Sequence, residues 1–306
     1  MPDRTNTDAA LTLLSEANQA HGTEFHLDHR FDGGVQSGAW LLIDGTGKQA
    51  VLKWSPNRGW APQIERAARG VAKIRSAGYP TPAWLAVGLT ANGFGYQIQE
   101  LVPGRSRNQV TAHVAELLID VLERHAGLDP DPQRCWSQFV TAQMTNQRDE
   151  LLQRAAETGP TGKKLVAACE RLLAVHGPVT LPTGDLVHGD FRPGNILFHA
   201  NHVSGVIDIE ALGSGTRAFD YATLLSAHEI TPEAMEILCT AGEQVAGPGA
   251  LAYCFAQVVL DLTVFVHERE LQPGIQNVSR LLDRVVILLN RANGTQALAA
   301  PAPSRR

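Results

Sequence analysis

The sequence predicts an α+β protein, with a small strand-rich part over residues 1–103 and a larger, mainly helical part over residues 104–306. Three observations lead there. Apolar or alternating runs of six or seven residues, punctuated by glycine and proline, crowd the chain before Gly104. Beyond it, apolar residues recur at helical spacing over long stretches. Short strand-like pieces then return between residues 186 and 207.

The elements follow in order. Thr7–Ala20 has the pattern of an amphipathic helix, with Asn6, Thr7 or Asp8 as its cap. Phe25–Phe31 reads as a strand leading into the glycine-rich run Gly33, Gly34, Gly38. Ala39–Asp44 and Gln49–Trp54 form a hairpin across Gly45-Thr46-Gly47. Ala61–Ala77 is a helix that stops at Gly78, with Pro80 and Pro82 beyond. Trp84–Leu89 and Gly95–Leu101 complete the strands before the Pro103-Gly104 turn. Helices are expected over Thr111–Ala126, Ser137–Glu157 and Lys163–Val175. Strands follow at Leu186–His188, Ile196–Phe198 and Val203–Ile207, then helices to Arg291 and a frayed tail.

The composition, 44% apolar and 19% charged, is that of a globular protein. The net charge of −5 argues against general nucleic-acid affinity. Residues 1–103 carry nine acids and nine bases, so the second part, with 22 acids and 17 bases, holds the whole excess. Such a surface suits a cationic acceptor, or is simply solvated. Cys135, Cys169, Cys239 and Cys254 form no C-x-x-C pair and read as four buried thiols in a reducing compartment. The first twenty residues lack the pattern of a secretory signal. The apolar run Leu251–Val266 is interrupted by Gln257 and Asp261, so no membrane span is expected and the protein is placed in the cytoplasm.

Chemistry concentrates in His188-Gly189-Asp190-Phe191-Arg192-Pro193-Gly194-Asn195. Asp190 and Asn195 stand five positions apart in a loop between two short strands, the offset of a kinase catalytic loop. Such a loop can aim the Asp190 carboxylate at an acceptor hydroxyl and the Asn195 amide oxygen at a metal. The apolar strand that follows delivers Asp208 at its end, with Glu210 on the same side two residues on. Asp208 can bridge Mg²⁺ to phosphates and Glu210 can serve a second metal, since Mg²⁺ takes hard oxygen ligands and few of them from protein. His188 reads as a support beneath the loop. Asp220 reads as a helix N-cap that also anchors the loop, or as a cap alone.

His-Gly-Asp-x-x-x-x-Asn followed by Ile-Asp-x-Glu resembles the aminoglycoside phosphotransferase and choline-kinase-like family, over roughly residues 30–290 by order of elements. The resemblance implies a bilobal, protein-kinase-like fold and transfer of the γ-phosphate of ATP or GTP to a small-molecule hydroxyl. It makes Asp190 the catalytic base and Asn195 and Asp208 ligands of Mg²⁺. Lys53, closing Val51-Leu52-Lys53, resembles the phosphate-binding lysine of the third kinase strand, and Glu65 on the next helix is its natural ion-pair partner. Gly34 and Ser37 are placed at the nucleotide phosphates, although the loop lacks the full G-x-G-x-x-G spacing and a plain glycine-rich hairpin explains it too. Gln99–Gly104 resembles the connector between lobes, with the Glu100 carbonyl and the Val102 amide on the adenine edge.

Only eleven residues separate Asp208 from Asp220, too few for a long activation loop, and no D-F-G or A-P-E occurs. This argues against a protein-directed kinase, and the helical insertions within residues 105–181 fit an acceptor-binding subdomain instead. Asp261, His267, Glu268 and Glu270 on a late helix, and the rings of Trp136 and Tyr221, are candidates for acceptor contacts or for surface and core. No dense acidic cluster appears near the C-terminus, which leaves room for a neutral acceptor. The expected role is resistance to an antibiotic-like natural product. A metabolic acceptor such as a sugar, choline or homoserine, or a nucleotide-binding scaffold without turnover, are the alternatives. Oligomeric state is not legible.

Overall fold

The structure is a computed structural model and describes residues 6–31 and 38–299. In chain order the elements are α1 (Thr7–His21), β1 (His26–Arg30), β2 (Ala39–Ile43), β3 (Gln49–Ser55), α2 (Ala61–Ser76), β4 (Trp84–Leu89) and β5 (Gly95–Glu100). Next come β6 (Gln109–Val110), α3 (Ala112–Arg124), α4 (Trp136–Thr145), α5 (Arg148–Glu157), α6 (Pro160–His176) and β7 (Asp185–Val187). After the loop stand β8 (Ile196–His199), β9 (His202–Val206), β10 (Gly213–Gly215), α7 (Ala218–Leu225), β11 (Glu229–Ile230), α8 (Pro232–Ala246), α9 (Pro248–Glu268) and α10 (Gln272–Ala299).

Two compact units result: residues 1–106 with 195–212, and residues 107–194 with 213–306. The expected single cut after residue 103 is thus replaced by a discontinuous division. The reason is local bonding. Arg105 and Phe198 exchange backbone hydrogen bonds at 3.1 and 3.0 Å, and Val206 N donates to Pro80 O at 2.5 Å. Ser204 Oγ donates to Pro103 O at 2.6 Å. The β8–β9 hairpin is therefore tied to the first unit. Gly104 permits the approach, since a Cβ there would meet Phe198 O at 3.0 Å.

In the first unit, five antiparallel strands lie in the order β1-β2-β3-β5-β4. Their alternation separates two faces. Leu52, Trp54, Tyr96 and Ile98 join Trp40, Leu42 and Phe25 in a core sealed by Ala10, Leu13, Leu14 and Ala17 of α1. Asn6 caps that helix, its side chain accepting from Asp8 N and Ala9 N. Lys53, Gln97 and Gln99, two residues apart along their strands, fall on the other face, and all three are buried.

The second unit is built around α9, which packs against α4, α5, α6, α7, α8 and α10. By length and composition α9 could cross a membrane, but 72% of its apolar window is buried within the protein, as in a core helix. The single helix expected over Ser137–Glu157 is two helices. Gln147, at φ −115° and ψ 10°, leaves the helical region between them without a Gly or Pro to announce it. Of the cysteines, Cys169, Cys239 and Cys254 are buried and Cys135 is part-exposed, which corrects the expectation of four buried thiols.

Candidate functional site

The first unit gathers a buried charge cluster around Lys53. Its ammonium donates to Asp208 Oδ1 and to Glu210 Oε1, both at 2.6 Å. Burial alone would lower the Lys53 pKa, but the two carboxylates overrule it and hold the ammonium above its ordinary value. The strand preceding Asp208 is fixed from the side. Ile196 pairs with Val206 across the hairpin, and Ile207 N donates to Asn195 O at 2.9 Å. Asn195 and Asp208 thus leave the ends of two hydrogen-bonded strands. Asp208 itself adopts φ 60° and ψ 39°, a left-handed conformation that aspartate tolerates better than most residues.

Helix α2 reaches this segment through Arg66, whose guanidinium donates to Leu212 O at 2.8 Å and Glu210 O at 3.4 Å. Glu65 is exposed on the same helix, and the structure does not bring it to Lys53. The ion pair expected from Glu65 is supplied instead by Glu210 and Asp208. Adjacent helical positions point about 100° apart, so only one of Glu65 and Arg66 can face the segment. Glu100 ends β5, and Val102 lies two residues beyond it. Gly34 and Ser37 fall outside the described residues. Gln97, which sequence reasoning missed, donates from Nε2 to Glu210 Oε1 at 2.5 Å. The period-2 alternation that puts it beside Lys53 was available as a signal, since the two are cross-strand partners.

Asp190 belongs to the second unit, where its loop is held from several directions. The Asp220 carboxylate accepts from His188 N at 2.8 Å and Gly189 N at 3.0 Å. Asp220 lies within the first turn of α7 and is fully buried, so it anchors the loop and is not the N-cap. Burial pushes its carboxyl up to about 7, against the two amide hydrogen bonds, with Asp190 and Asp185 adding to the rise. His188 is buried, and its Nδ1 accepts from Asp190 N at 3.2 Å, so it supports the loop. Thr223 Oγ1 donates to Phe191 O at 3.0 Å. The Asp190 carboxylate faces outward, 36% exposed, and pairs with Arg192 at 2.6 Å.

Trp136 packs directly on Gly189, which adopts φ +86°. The indole stacks on Phe219 at 4.7 Å between centroids. Tyr221 is buried and donates to Glu123 Oε1 at 2.8 Å. Tyr221 is therefore core, while Trp136 is part-exposed beside the loop. Glu268 pairs with Arg154 of α5 at 2.7 Å on the exposed surface, and the His267 ring bonds within α9 to Thr263 O at 2.8 Å.

The oxygen set offered by Asn195, Asp208 and Glu210 is hard and small, as Mg²⁺ prefers. Among the described residues no group of three or more His, Cys, Asp or Glu is arranged to hold a metal ion by itself. Two carboxylates and one amide, with phosphate oxygens completing the sphere, suit an ion that arrives with its nucleotide.

A model of the phosphotransferase enzyme family matches residues 29–254. The chain belongs to that family. Among curated proteins, this phosphotransferase is 25% identical over 178 residues to a homoserine kinase of Phenylobacterium zucineum (strain HLK1), covering 58% of this chain and 50% of that protein. The match spans about half the length of that relative. Among solved structures, the aminoglycoside phosphotransferase APH(4)-Ia, in ternary complex with ADP and hygromycin B, superposes with a TM-score of 0.62 at 18% identity, over 90% of this chain and 96% of its own. The amicoumacin kinase hAmiN, in complex with AMP-PNP, Ca²⁺ and Ami, gives 0.60 at 14% identity over 94% of each chain. At these identities the likeness establishes the kinase-like fold of the phosphotransferase, a small antiparallel sheet with a larger helical part.

Proposed function

We propose that the protein is a small-molecule O-phosphotransferase, moving the γ-phosphate of ATP or GTP to a hydroxyl of an antibiotic-like natural product. The observation that carries the reaction is the Lys53–Asp208–Glu210 cluster, a buried cation sharing carboxylates on hard-oxygen ligands. Lys53 exchanges a carboxylate for nucleotide phosphate oxygens. Asn195 and Asp208, with Glu210 as a further ligand, hold Mg²⁺, which draws charge from the phosphates when bound. The Glu100 carbonyl and the Val102 amide meet the purine, and Gly34 and Ser37 cover the phosphates. Asp190 orients the acceptor hydroxyl and takes its proton. Positioning and charge stabilisation supply most of the acceleration. We place the enzyme in the cytoplasm.

The antibiotic acceptor is supported by the hygromycin B and amicoumacin complexes of the structural relatives. A metabolic acceptor is favoured by a different observation, the match to a homoserine kinase. A mass-spectrometric screen decides between them. The protein is incubated with Mg-ATP or Mg-GTP and a panel of aminoglycosides, peptide antibiotics, macrolides, homoserine, choline and sugars, and a product heavier by one phosphate is sought. Asp190→Ala should abolish transfer and leave nucleotide affinity within about threefold. Normal turnover in that variant removes Asp190 from the mechanism, and phosphorylation of homoserine alone replaces the antibiotic by a metabolic acceptor.

A further inference from the structure

Gln97 stands directly opposite Lys53 in the β3–β5 pair and is 1% exposed. Its Nε2 donates to Glu210 Oε1, the same oxygen that receives Lys53 Nζ. Its own Oε1 is buried with no hydrogen-bond partner. A buried amide that satisfies only one side costs stability, and an apolar residue of the same size would avoid that cost. Here the amide holds a carboxylate against the buried lysine. Glu65 on α2 is exposed and gives Lys53 no such hold.

We propose that Gln97 is a positioning residue for the phosphate-binding lysine. It acts through Glu210, fixing that carboxylate so that Lys53 is presented by the sheet and by the segment after β9 and not by α2. Lys53 has two carboxylate partners. When it turns from Asp208 to a phosphate oxygen, Glu210 remains as its holder, and Gln97 keeps the shared Oε1 of Glu210 on the lysine. This assignment rests on the phosphotransferase reading of Lys53.

The test is calorimetric titration of the full-length protein with Mg-AMP-PNP, without acceptor, alongside thermal melting. Gln97→Met keeps the volume and removes the amide. Losing one hydrogen bond to a charged group should weaken nucleotide binding about tenfold while the melting temperature stays within a few degrees. In a Glu210→Gln background, Gln97→Met should weaken binding by less than about twofold, because Gln97 acts only through Glu210. If Gln97 only fills space, Gln97→Met should leave affinity unchanged whatever the melting temperature does, and that result overturns the assignment. So does a Glu65→Ala variant that loses as much affinity as Gln97→Met. Should Gln97→Met not fold, Gln97→Glu answers in its place, since a second carboxylate beside Glu210 should also weaken binding and unchanged affinity refutes the role. If Lys53→Met loses binding while Gln97→Met matches wild type, only the assignment falls. Wild-type protein that binds neither Mg-AMP-PNP nor Mg-GMP-PNP overturns the phosphotransferase reading and the assignment with it.

Discussion

Gly189→Ala tests how rigidly the loop of Asp190 is held. Gly189 sits at φ +86°, where an L-residue is strained by about 1 kcal/mol or more. A Cβ there would also stand 2.7 Å from Trp136 Cε2, inside van der Waals contact with a rigid ring. Two aromatic neighbours restrain the ring. It stacks on Phe219 at 4.7 Å and meets Phe139 edge-on at 5.4 Å between centroids. Overpacking of this kind costs about 1–3 kcal/mol, so the total comes to roughly 3 kcal/mol. For a unit of this size the melting temperature should fall by about 6–12 °C in differential scanning calorimetry. Combining Gly189→Ala with Trp136→Leu separates the two parts. The clash disappears with the indole, so the double variant should lose about 1–2 kcal/mol less than the sum of the single losses, leaving the backbone strain. Full additivity, or a Gly189→Ala protein melting within 1 °C of wild type, would refute the account of a loop clamped between Trp136 and Asp220.

The buried Asp220 carboxyl, raised to about 7, gives a pH signature. Between about pH 4 and pH 7 the folded state holds a proton there that the unfolded state has released, so unfolding free energy falls as pH rises, by at most roughly 1.4 kcal/mol per pH unit. Asp220→Asn should flatten the melting temperature across that window, and equal slopes in the two proteins would remove Asp220 as the source. Arg66→Ala should raise the KM for nucleotide about three- to tenfold, since the carbonyls of Glu210 and Leu212 lose their common donor, and an unchanged KM would show that α2 does not steady that segment. Thiol reagents at pH 8 should modify one cysteine per chain before unfolding. Peptide mapping should find it at Cys135, because burial pushes the Cys169 and Cys239 thiols up to about 12.

Much of the fold was legible because strand and helix periods differ. The five strands of the first sheet are short apolar or alternating runs bounded by glycine and proline, α1 and α2 carry 3.6-residue spacing, and all fall within a residue or two of where those patterns end. The misses lie where local pattern carries no information. Asn146 and Gln147 interrupt α4 and α5 without a breaking residue. The parallel pairing of Glu229–Ile230 with Gln109–Val110 joins strands of two residues more than a hundred positions apart, and no window of sequence reports such a contact. The return of Asn195–Leu212 to the first unit depends on backbone bonds to Pro80 and Arg105, which are equally nonlocal.

The candidate site divides in the same way. Asp190, Asn195, Asp208 and Glu210 could be proposed as candidates from sequence because they stand at fixed offsets in one short stretch. The partner of Lys53 was not, because it had to be chosen across the chain. Glu65 and Arg66 are neighbours on one helix, and a rotation of about 100° decides which faces inward. The apolar stripe decides it: Ala61, Ile64, Ala67, Val71 and Ile74 are buried and set the rotation of α2, which leaves Glu65 in solvent and turns Arg66 toward the carbonyls of Glu210 and Leu212. A cation there cannot serve Lys53, so the carboxylate must come from elsewhere. Glu210 lies two residues past Asp208 and is the acid left within reach. Once it is committed to a buried lysine, a neutral donor beside it steadies the remaining charge without competing for the lysine, and Gln97 on the adjacent strand provides one. The amide of Gln97 thus completes a choice that the rotation of α2 begins, by leaving the Lys53 carboxylates to the segment after β9.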